Sequence, residues 1–408
     1  MNRSLRPAYW ILGLLLFVAV ARDFLANGRP LYCRIGESSY WPGLRTVWES
    51  AGVSFGDPVL DSIRVNDLWK TFPFQSAVFA PIPFSPNETT KPPFTPGTVP
   101  ARPGTRHPQL GARFVHWLGT DERGRDVAAA LVAGARSAVL TGVTAMAMAM
   151  SIGLVLGALA GFWGDDRLRV RRGRWWLTLM GLLPAWFFAF TARQYVLAEG
   201  GLTEWLKSAA IFAGIVLLFN VLGRMLCRIP WFGKRVTIPA DLIIMRLAEV
   251  VNSIPGLIFI FVMAALLPKE DQSMWVMIAL IGVISWTGAA RFIRADLLRV
   301  RELDYVTAAR GLGFSEARIL LRHALPNALR STMIVFAFGV ASAVILEASL
   351  SFLGFGGYTF NTSWGTLLNS ARAYPTAWWV ALPPGLAICI TVLALNAIGD
   401  RLSERKES

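Results

Sequence analysis

Eight stretches of the chain lack Asp, Glu, Lys and Arg and are mostly apolar: 7–21, 137–164, 175–192, 208–223, 250–268, 272–290, 331–346 and 373–399. A helix needs about 20 such residues to cross the hydrocarbon of a bilayer. The first, fourth and seventh are short, and each reaches full length by passing one bounding charge that snorkels outward or sits inside a bundle. The stretches are too long and too evenly apolar for barrel strands. The pattern predicts an all-α integral membrane protein with about eight transmembrane helices.

Composition agrees. Of 408 residues, 54% are hydrophobic and 16% charged, against about 25% charged in a soluble domain. The net charge is +14. Nucleic-acid binding is the plain reading of a basic chain, but here the basic residues lie between apolar runs, as in cytoplasmic loops. With the N-terminus inside, the segments 1–6, 165–174, 224–246, 291–330 and 400–408 are cytoplasmic and hold 23 of the 40 Lys and Arg. The short opposite loops hold few, so both termini are expected in the cytoplasm. Arg3 and Arg6 precede the first apolar stretch with no clean small-x-small cleavage site after it, which favours a retained span. Cys33, Cys227 and Cys389 are too dispersed for a zinc site or a disulfide framework.

Residues 22–115 differ. They are rich in Pro, Gly and aromatics, as in Trp41-Pro42-Gly43 and Pro81-Ile82-Pro83-Phe84-Ser85-Pro86. Such composition disfavours helices and central strands, while the aromatics argue against disorder. An irregular but ordered external loop domain is expected, with short strands near 31–36 and 44–48.

Catalytic patterns are weak. Gly52-Val53-Ser54-Phe55-Gly56 matches GxSxG, but Asp57-Pro58 follows where an elbow needs a helix, and only His107, His116 and His323 exist as partners. There is no GxxxxGK[ST] and no HExxH. Gly153, Gly157 and Gly161 are spaced for close helix packing. Glu249 and Glu347 lie beside or within apolar runs, where an acid is costly and is either functional or hydrogen-bonded.

The informative segment is 304–327. Asp304 is placed to cap a helix, Gly311 and Gly313 break it, and Ser315 is placed to cap a second. Ala317, Leu320, Leu321 and Ala324 fall on one face, and Pro326 stops that helix or opens the next span. This predicts a helix–turn–helix elbow between two spans. Ala308 and Ala309 would let its first arm press into a groove on another protein, and Arg310, Arg318 and Arg322 suit an acidic partner.

This segment resembles the EAA loop of binding-protein-dependent ABC importer permeases. The pattern is met by Thr307-Ala308-Ala309, then Gly313, then Leu325-Pro326, with Thr307 where the family has an acid. Leu118-Gly119-Thr120-Asp121-Glu122-Arg123-Gly124-Arg125-Asp126, Ser253-Ile254-Pro255, and Leu346-Glu347-Ala348-Ser349-Leu350-Ser351-Phe352-Leu353-Gly354 with Ser363-Trp364-Gly365 are similar to the oligopeptide/dipeptide/nickel permeases. The extended loop with Arg29-Pro30-Leu31 is similar to permeases of microcin C-like importers. The match covers roughly 116–164 and 241–400.

The resemblance implies a type I ABC importer permease bundle in the bacterial inner membrane, importing peptide. Its partners would be a second permease, two ATPase subunits or domains, an external peptide-binding protein and membrane lipid, with no nucleic acid. It implies no enzymatic activity and no cofactor in this chain, ATP and Mg²⁺ being held by the ATPases. ATPase coupling would fall to Tyr305, Thr307, Ala308, Ala309, Arg310, Gly313, Arg322, His323, Leu325 and Pro326. Asn252, Ser253, Pro255, Glu347 and Ser349 would line the pathway, and Gly119, Thr120, Asp121, Gly124, Arg125 and Asp126 form a motif on the external side. The expected organisation is a first span at 1–25, a loop domain at 26–115, an amphipathic segment and second span at 116–164, and a helix pair at 165–240. That pair is additional to the family's usual six spans. A permease core follows at 241–400 with the coupling loop at 294–327, then a tail at 401–408. The alternatives are an ABC permease for nickel or another small solute, a stand-alone secondary carrier, and a membrane enzyme acting through Ser54.

Overall fold

A computed structural model describes residues 6–43, 60, 63, 69–89, 100–107, 110–111, 113–165, 169–268, 273–355 and 362–407. The GxSxG segment and the strand expected near 44–48 lie outside the described residues. The longer helices are α1 (Arg6–Val20), α2 (Val127–Ala158), α3 (Arg172–Trp186), α4 (Leu202–Leu226), α5 (Ala240–Asn252), α6 (Gly256–Leu266), α7 (Met274–Val300), α8 (Asp304–Gly311), α9 (Leu325–Phe352), α10 (Trp364–Ala371) and α11 (Trp378–Glu407). π turns extend α2 through Leu159–Trp163 and α3 through Phe187–Thr191.

Each of the eight apolar stretches lies largely on helix, so the helical membrane architecture holds. The count of eight does not follow from it. Among the described residues, five helices are long and apolar enough to cross a membrane, or six with α5 and α6 taken as one broken span. The stretch 250–268 is not a straight helix: the chain bends by 77° between α5 and α6. Pro255 has no N–H to carry the helix on and restricts the residue before it to extended backbone.

The chain divides into two compact units, residues 1–155 with 249–408, and residues 156–248. In the first, small residues bring the helices together. A Cβ on Gly153 would lie 2.6 Å from the Ala289 Cβ, and one on Gly282 would lie 3.0 Å from the Ala145 carbonyl oxygen, so α2 and α7 touch at two levels. Met146, Ala149, Ala289 and Val340 form one buried cluster here. In lipid this close packing, rather than expulsion of water, holds helices together.

The same unit holds the irregular domain. β1 (Tyr32–Ile35) pairs antiparallel with β2 (Ser38–Tyr40) and β3 (Ser76–Val78), and β4 (Thr105–Arg106) pairs with β5 (Val115–His116). The strand expected near 31–36 is therefore β1. Phe84 and Phe114 are buried with Ala26 and Ala129 beneath these strands.

In the second unit α3 and α4 pack along their length. A Cβ on Gly223 would meet the Arg174 Cα at 2.7 Å, and one on Gly181 would meet Phe219 at 2.6 Å. Arg174 Nε donates to Asn220 Oδ1 at 2.9 Å, and Asn220 Nδ2 donates to Thr178 Oγ1 at 3.1 Å. β6 (Arg169–Arg171) and β7 (Arg235–Thr237) form an antiparallel ribbon.

Candidate functional site

The elbow has three parts. α8 is its first arm, Glu316–Ile319 with a π turn at Leu320–Ala324 is its second, and the second arm runs without a break into α9. Pro326 is the second residue of α9, directly after the π turn, where the missing N–H of proline interrupts the helical hydrogen-bond pattern. Leu303 holds the cap position of α8, which corrects the role expected of Asp304: it stands in the first turn, where its charge favours the helix N-terminus. Ser315 does cap the second arm by position, although its side chain makes no capping hydrogen bond.

The corner is a Schellman motif. Phe314 N–H donates to the Ala309 carbonyl at 3.2 Å and Gly313 N–H to the Arg310 carbonyl at 2.9 Å. Gly313 has φ +80°, the left-handed conformation such a cap requires. Arg310 then clasps the arms: Nε donates to Glu316 Oε1 at 2.8 Å and Nη2 to Oε2 at 3.3 Å. On the second arm the rings of Phe314 and His323 are parallel at 6.3 Å, and Arg318 lies over Phe314 at 5.7 Å.

This geometry changes two expectations. Ala309 is buried with Val306 on the inner face of α8, so only Ala308 of the pair faces outward. On the second arm Ile319, Leu320 and Ala324 are buried while Ala317 and Leu321 are exposed, because the π turn shifts the register from a 3.6-residue period. Arg310 points its guanidinium at Glu316, within this chain. The outward crest is apolar: Tyr305, Leu312, Phe314 and Leu321 are exposed, the last at 66%. Thr307 and Arg322 are also exposed, Leu325 is half-buried and Pro326 is exposed.

Of the residues expected along the pathway, Asn252, Ser253 and Pro255 are exposed and Glu347 is buried. Asn252 is exposed and accepts from Thr287 Oγ1 at 3.0 Å; Ser253 donates to the Val250 carbonyl at 2.7 Å, and Pro255 is exposed. Ser349 donates to the Ile345 carbonyl at 2.8 Å. Glu347 is buried and accepts from Ser351 at 2.8 Å. It lines a cavity of about 20 Å³ with Ser137, Thr141, Met274, Met277, Ser351 and Ser363, room for about one water and not for a peptide. Replacing Glu347 with Ala is expected to destabilise the chain by about 1–3 kcal/mol, the cost of stranding a buried hydroxyl. Glu347→Gln keeps an acceptor for Ser351 and should lose less. Thermal unfolding in detergent distinguishes the two, and equal midpoints would refute this role.

Ser363-Trp364-Gly365 pins α10 to two spans. Ser363 and Thr366 form a capping box, Trp364 Nε1 donates to the Leu131 carbonyl at 3.0 Å, and a Cβ on Gly365 would lie 2.3 Å from the Ala348 carbonyl oxygen.

The motif at 119–126 is a clasp at the foot of α2. Asp121, fully buried, accepts from the backbone N–H of Arg123 and Arg125 at 2.9 Å and from Arg125 Nε at 2.7 Å. Gly119 and Gly124 have φ +74° and +75°. Thr120 Oγ1 accepts from the Ala101 N–H at 2.8 Å, and Trp379 Nε1 donates to the Thr120 carbonyl at 3.2 Å. Asp126 caps α2 through the Ala129 N–H at 2.8 Å, and its other oxygen lies 2.8 Å from His116 Nδ1. His116 stacks on Phe84 at 4.1 Å, Lys70 lies over the same ring, and Lys70 bonds Glu88.

Sequence reasoning missed this cluster, since its members are scattered between residues 70 and 126. It holds His107 down to a pKa of about 4 from 6.5, through burial first, then His116 and Lys70. Such a histidine is neutral when the domain is closed and takes a proton when it opens. Its contribution to stability is therefore complete above about pH 6.5 and lost as pH falls toward 4. Hydrogen-exchange protection across 100–116, corrected for the intrinsic pH dependence of amide exchange, should fall between pH 7 and 5, and His107→Gln should flatten that fall. An unchanged profile in the variant would assign the pH response to other groups.

Residues 231–406, which contain the elbow, match the family described as binding-protein-dependent transport system inner membrane component. A protein of Brucella suis biovar 1 named as a peptide permease is 30% identical over 295 residues, 71% of this chain and 72% of that one. The glutathione transport system permease protein GsiD of Pectobacterium atrosepticum is 28% identical over 72% of this chain and 73% of its own. The inner membrane ABC transporter permease protein YejE of Escherichia coli K12 is 26% identical over 99% of this chain and 93% of its own. With the family match covering the elbow and a relative 30% identical over 71% of the chain, the chain belongs to the family of binding-protein-dependent transport system inner membrane components, the multi-pass permeases of ABC importers.

Proposed function

We propose that this chain is one of two permeases forming a peptide-import pathway, driven through its elbow by separate ATPase subunits and supplied by an external binding protein. The observation that carries the reading is the elbow: an apolar crest of Tyr305, Leu312, Phe314 and Leu321 on a corner closed by Gly313 and the Arg310–Glu316 clasp. Exposed apolar surface of this kind marks a docking site, and α9 continues from the elbow toward the Glu347 cavity, so a push on the crest reaches the bundle. Relatives named for peptide and glutathione transport support a peptide substrate. The distribution of Arg and Lys supports a cytoplasmic position for both termini and the elbow.

The test is co-purification followed by uptake. The chain should bring down a P-loop ATPase, and reconstituted vesicles should import labelled peptide on ATP addition. Ala308→Asp, on the crest, should abolish the association while leaving the fold intact. ATP-driven uptake of a metal ion or another small solute in place of peptide would overturn the substrate, and a chain that transports with no ATPase would overturn the whole reading.

A further inference from the structure

The β6–β7 ribbon carries an unusual charge arrangement. Arg171 and Arg235 are directly opposed across the strands, and Arg169 stands opposite Thr237. Opposed residues and those two apart share a face, so Arg169, Arg171 and Arg235 project together, with Val170 and Val236 on the other side. All three arginines are exposed, and among the described residues none makes a side-chain hydrogen bond or ion pair. Like charges directly opposite destabilise a strand pair, and a two-stranded ribbon is marginal to begin with. Something anionic on that face would remove the penalty.

The ribbon's place in its unit says which anion. β6 runs directly into α3, and β7 follows the end of α4 after the short helix Pro230–Gly233. The ribbon thus closes one end of an apolar helix pair whose outward faces expose Leu179, Leu183, Leu217 and Leu218. Trp176 and Trp231 are about half exposed near this end, and Arg172 lies over Trp231 at 4.0 Å. Tryptophan beside arginine at the end of a membrane helix marks the headgroup level. At the opposite end the cations are neutralised within the chain: Arg193 and Lys207 contact Glu204 at 2.6 and 2.5 Å. The two ends differ in whether the positive charge has a protein partner.

We propose that the arginine face of the β6–β7 ribbon binds the phosphate groups of acidic phospholipids and anchors the α3–α4 pair at one membrane surface. Guanidinium groups match phosphate oxygens two at a time and are lightly hydrated. Basic pockets between membrane helices bind acidic headgroups by the same chemistry. The inference rests on the helix pair lying in the bilayer and not on which substrate is carried.

The experiment uses the full chain in detergent, titrated with cardiolipin or phosphatidylglycerol and read by native mass spectrometry against phosphatidylcholine. The triple variant Arg169→Gln, Arg171→Gln, Arg235→Gln is expected to bind acidic lipid at least tenfold more weakly, with phosphatidylcholine unaffected. The triple Arg→Lys variant keeps the charge but loses the paired match to phosphate oxygens, and should fall between wild type and the Gln triple. An unchanged thermal unfolding midpoint in the Gln triple shows that its loss does not come from misfolding, and the single variant Arg235→Gln should lose less than the triple. Millimolar inorganic phosphate should not displace the lipid, because it lacks the acyl chains held beside α3 and α4. Equal acidic-lipid binding by wild type and the Gln triple overturns the proposal. So does displacement by free phosphate. Loss of ATPase association with lipid binding intact would assign the face to a protein partner instead.

Discussion

Replacing Gly313 with Val is expected to cut ATP-driven uptake at least tenfold while the ATPase stays bound and continues to hydrolyse ATP. The cause is conformational. No heavy atom outside its immediate neighbours lies within 4 Å of a Cβ at this position, so the substitution meets no clash. It meets instead φ +80°, which costs an L-residue about 1–2 kcal/mol and is worst for a β-branched one. The corner would relax out of the left-handed region, the two Schellman hydrogen bonds would open, and the angle between the arms would no longer be set. Gly313→Asn should be milder, since Asn tolerates that region. Gly311→Ala should be neutral, because Gly311 lies within α8 with nothing near its Cβ. The measurement is moles imported per mole of ATP hydrolysed. Wild-type stoichiometry in the Val variant would mean the elbow transmits nothing. Ala309→Asp is no test of docking. Its side chain is buried, so a charge there would damage α8 itself.

Asp121→Ala should destabilise the chain by about 3–5 kcal/mol, the usual cost of removing one member of a buried ion pair. Asp121 gathers two backbone N–H groups and the Arg125 guanidinium. Its loss leaves Arg125, with a side chain only 14% exposed, uncompensated, and frees the turn that aims Asp126 at the start of α2. Thermal unfolding and proteolysis near residues 100–126 would report it. The double variant Asp121→Ala, Arg125→Ala should cost less than the sum of the two single changes, because the second truncation removes the stranded charge. Strict additivity would show that the two residues act independently. A variant that folds normally yet fails to transport would shift the motif's role from architecture to transport.

The helical membrane class was legible because the hydrocarbon imposes its demand on composition alone: every span must be long, apolar and internally hydrogen-bonded. The elbow was legible for a related reason. Gly313 admits the left-handed conformation that ends a helix, Ser315 stands at the next cap position, and the turn at Gly313 uses only local hydrogen bonds. The Asx-type turn around Asp121 was visible as a motif, although what the motif holds was not.

Other features depend on residues far apart in the chain and carry no local signature. Which alanine of the elbow faces inward was settled by packing, and the π turn at Leu320–Ala324 moved Leu321 to the outside against the helical period. The bend at Pro255, within an unbroken apolar stretch, was open to a kink or a full break until the tertiary structure decided it. His116 meets Asp126 and Phe84, and Lys70 meets Glu88, only because the irregular domain folds over the foot of α2. Sequence by itself therefore determined what must lie in lipid and where the backbone must turn, both being properties of short segments and their solvent. Tertiary structure alone decided which side chains meet, which charges are neutralised and which remain exposed, because those depend on distances that chain order does not encode.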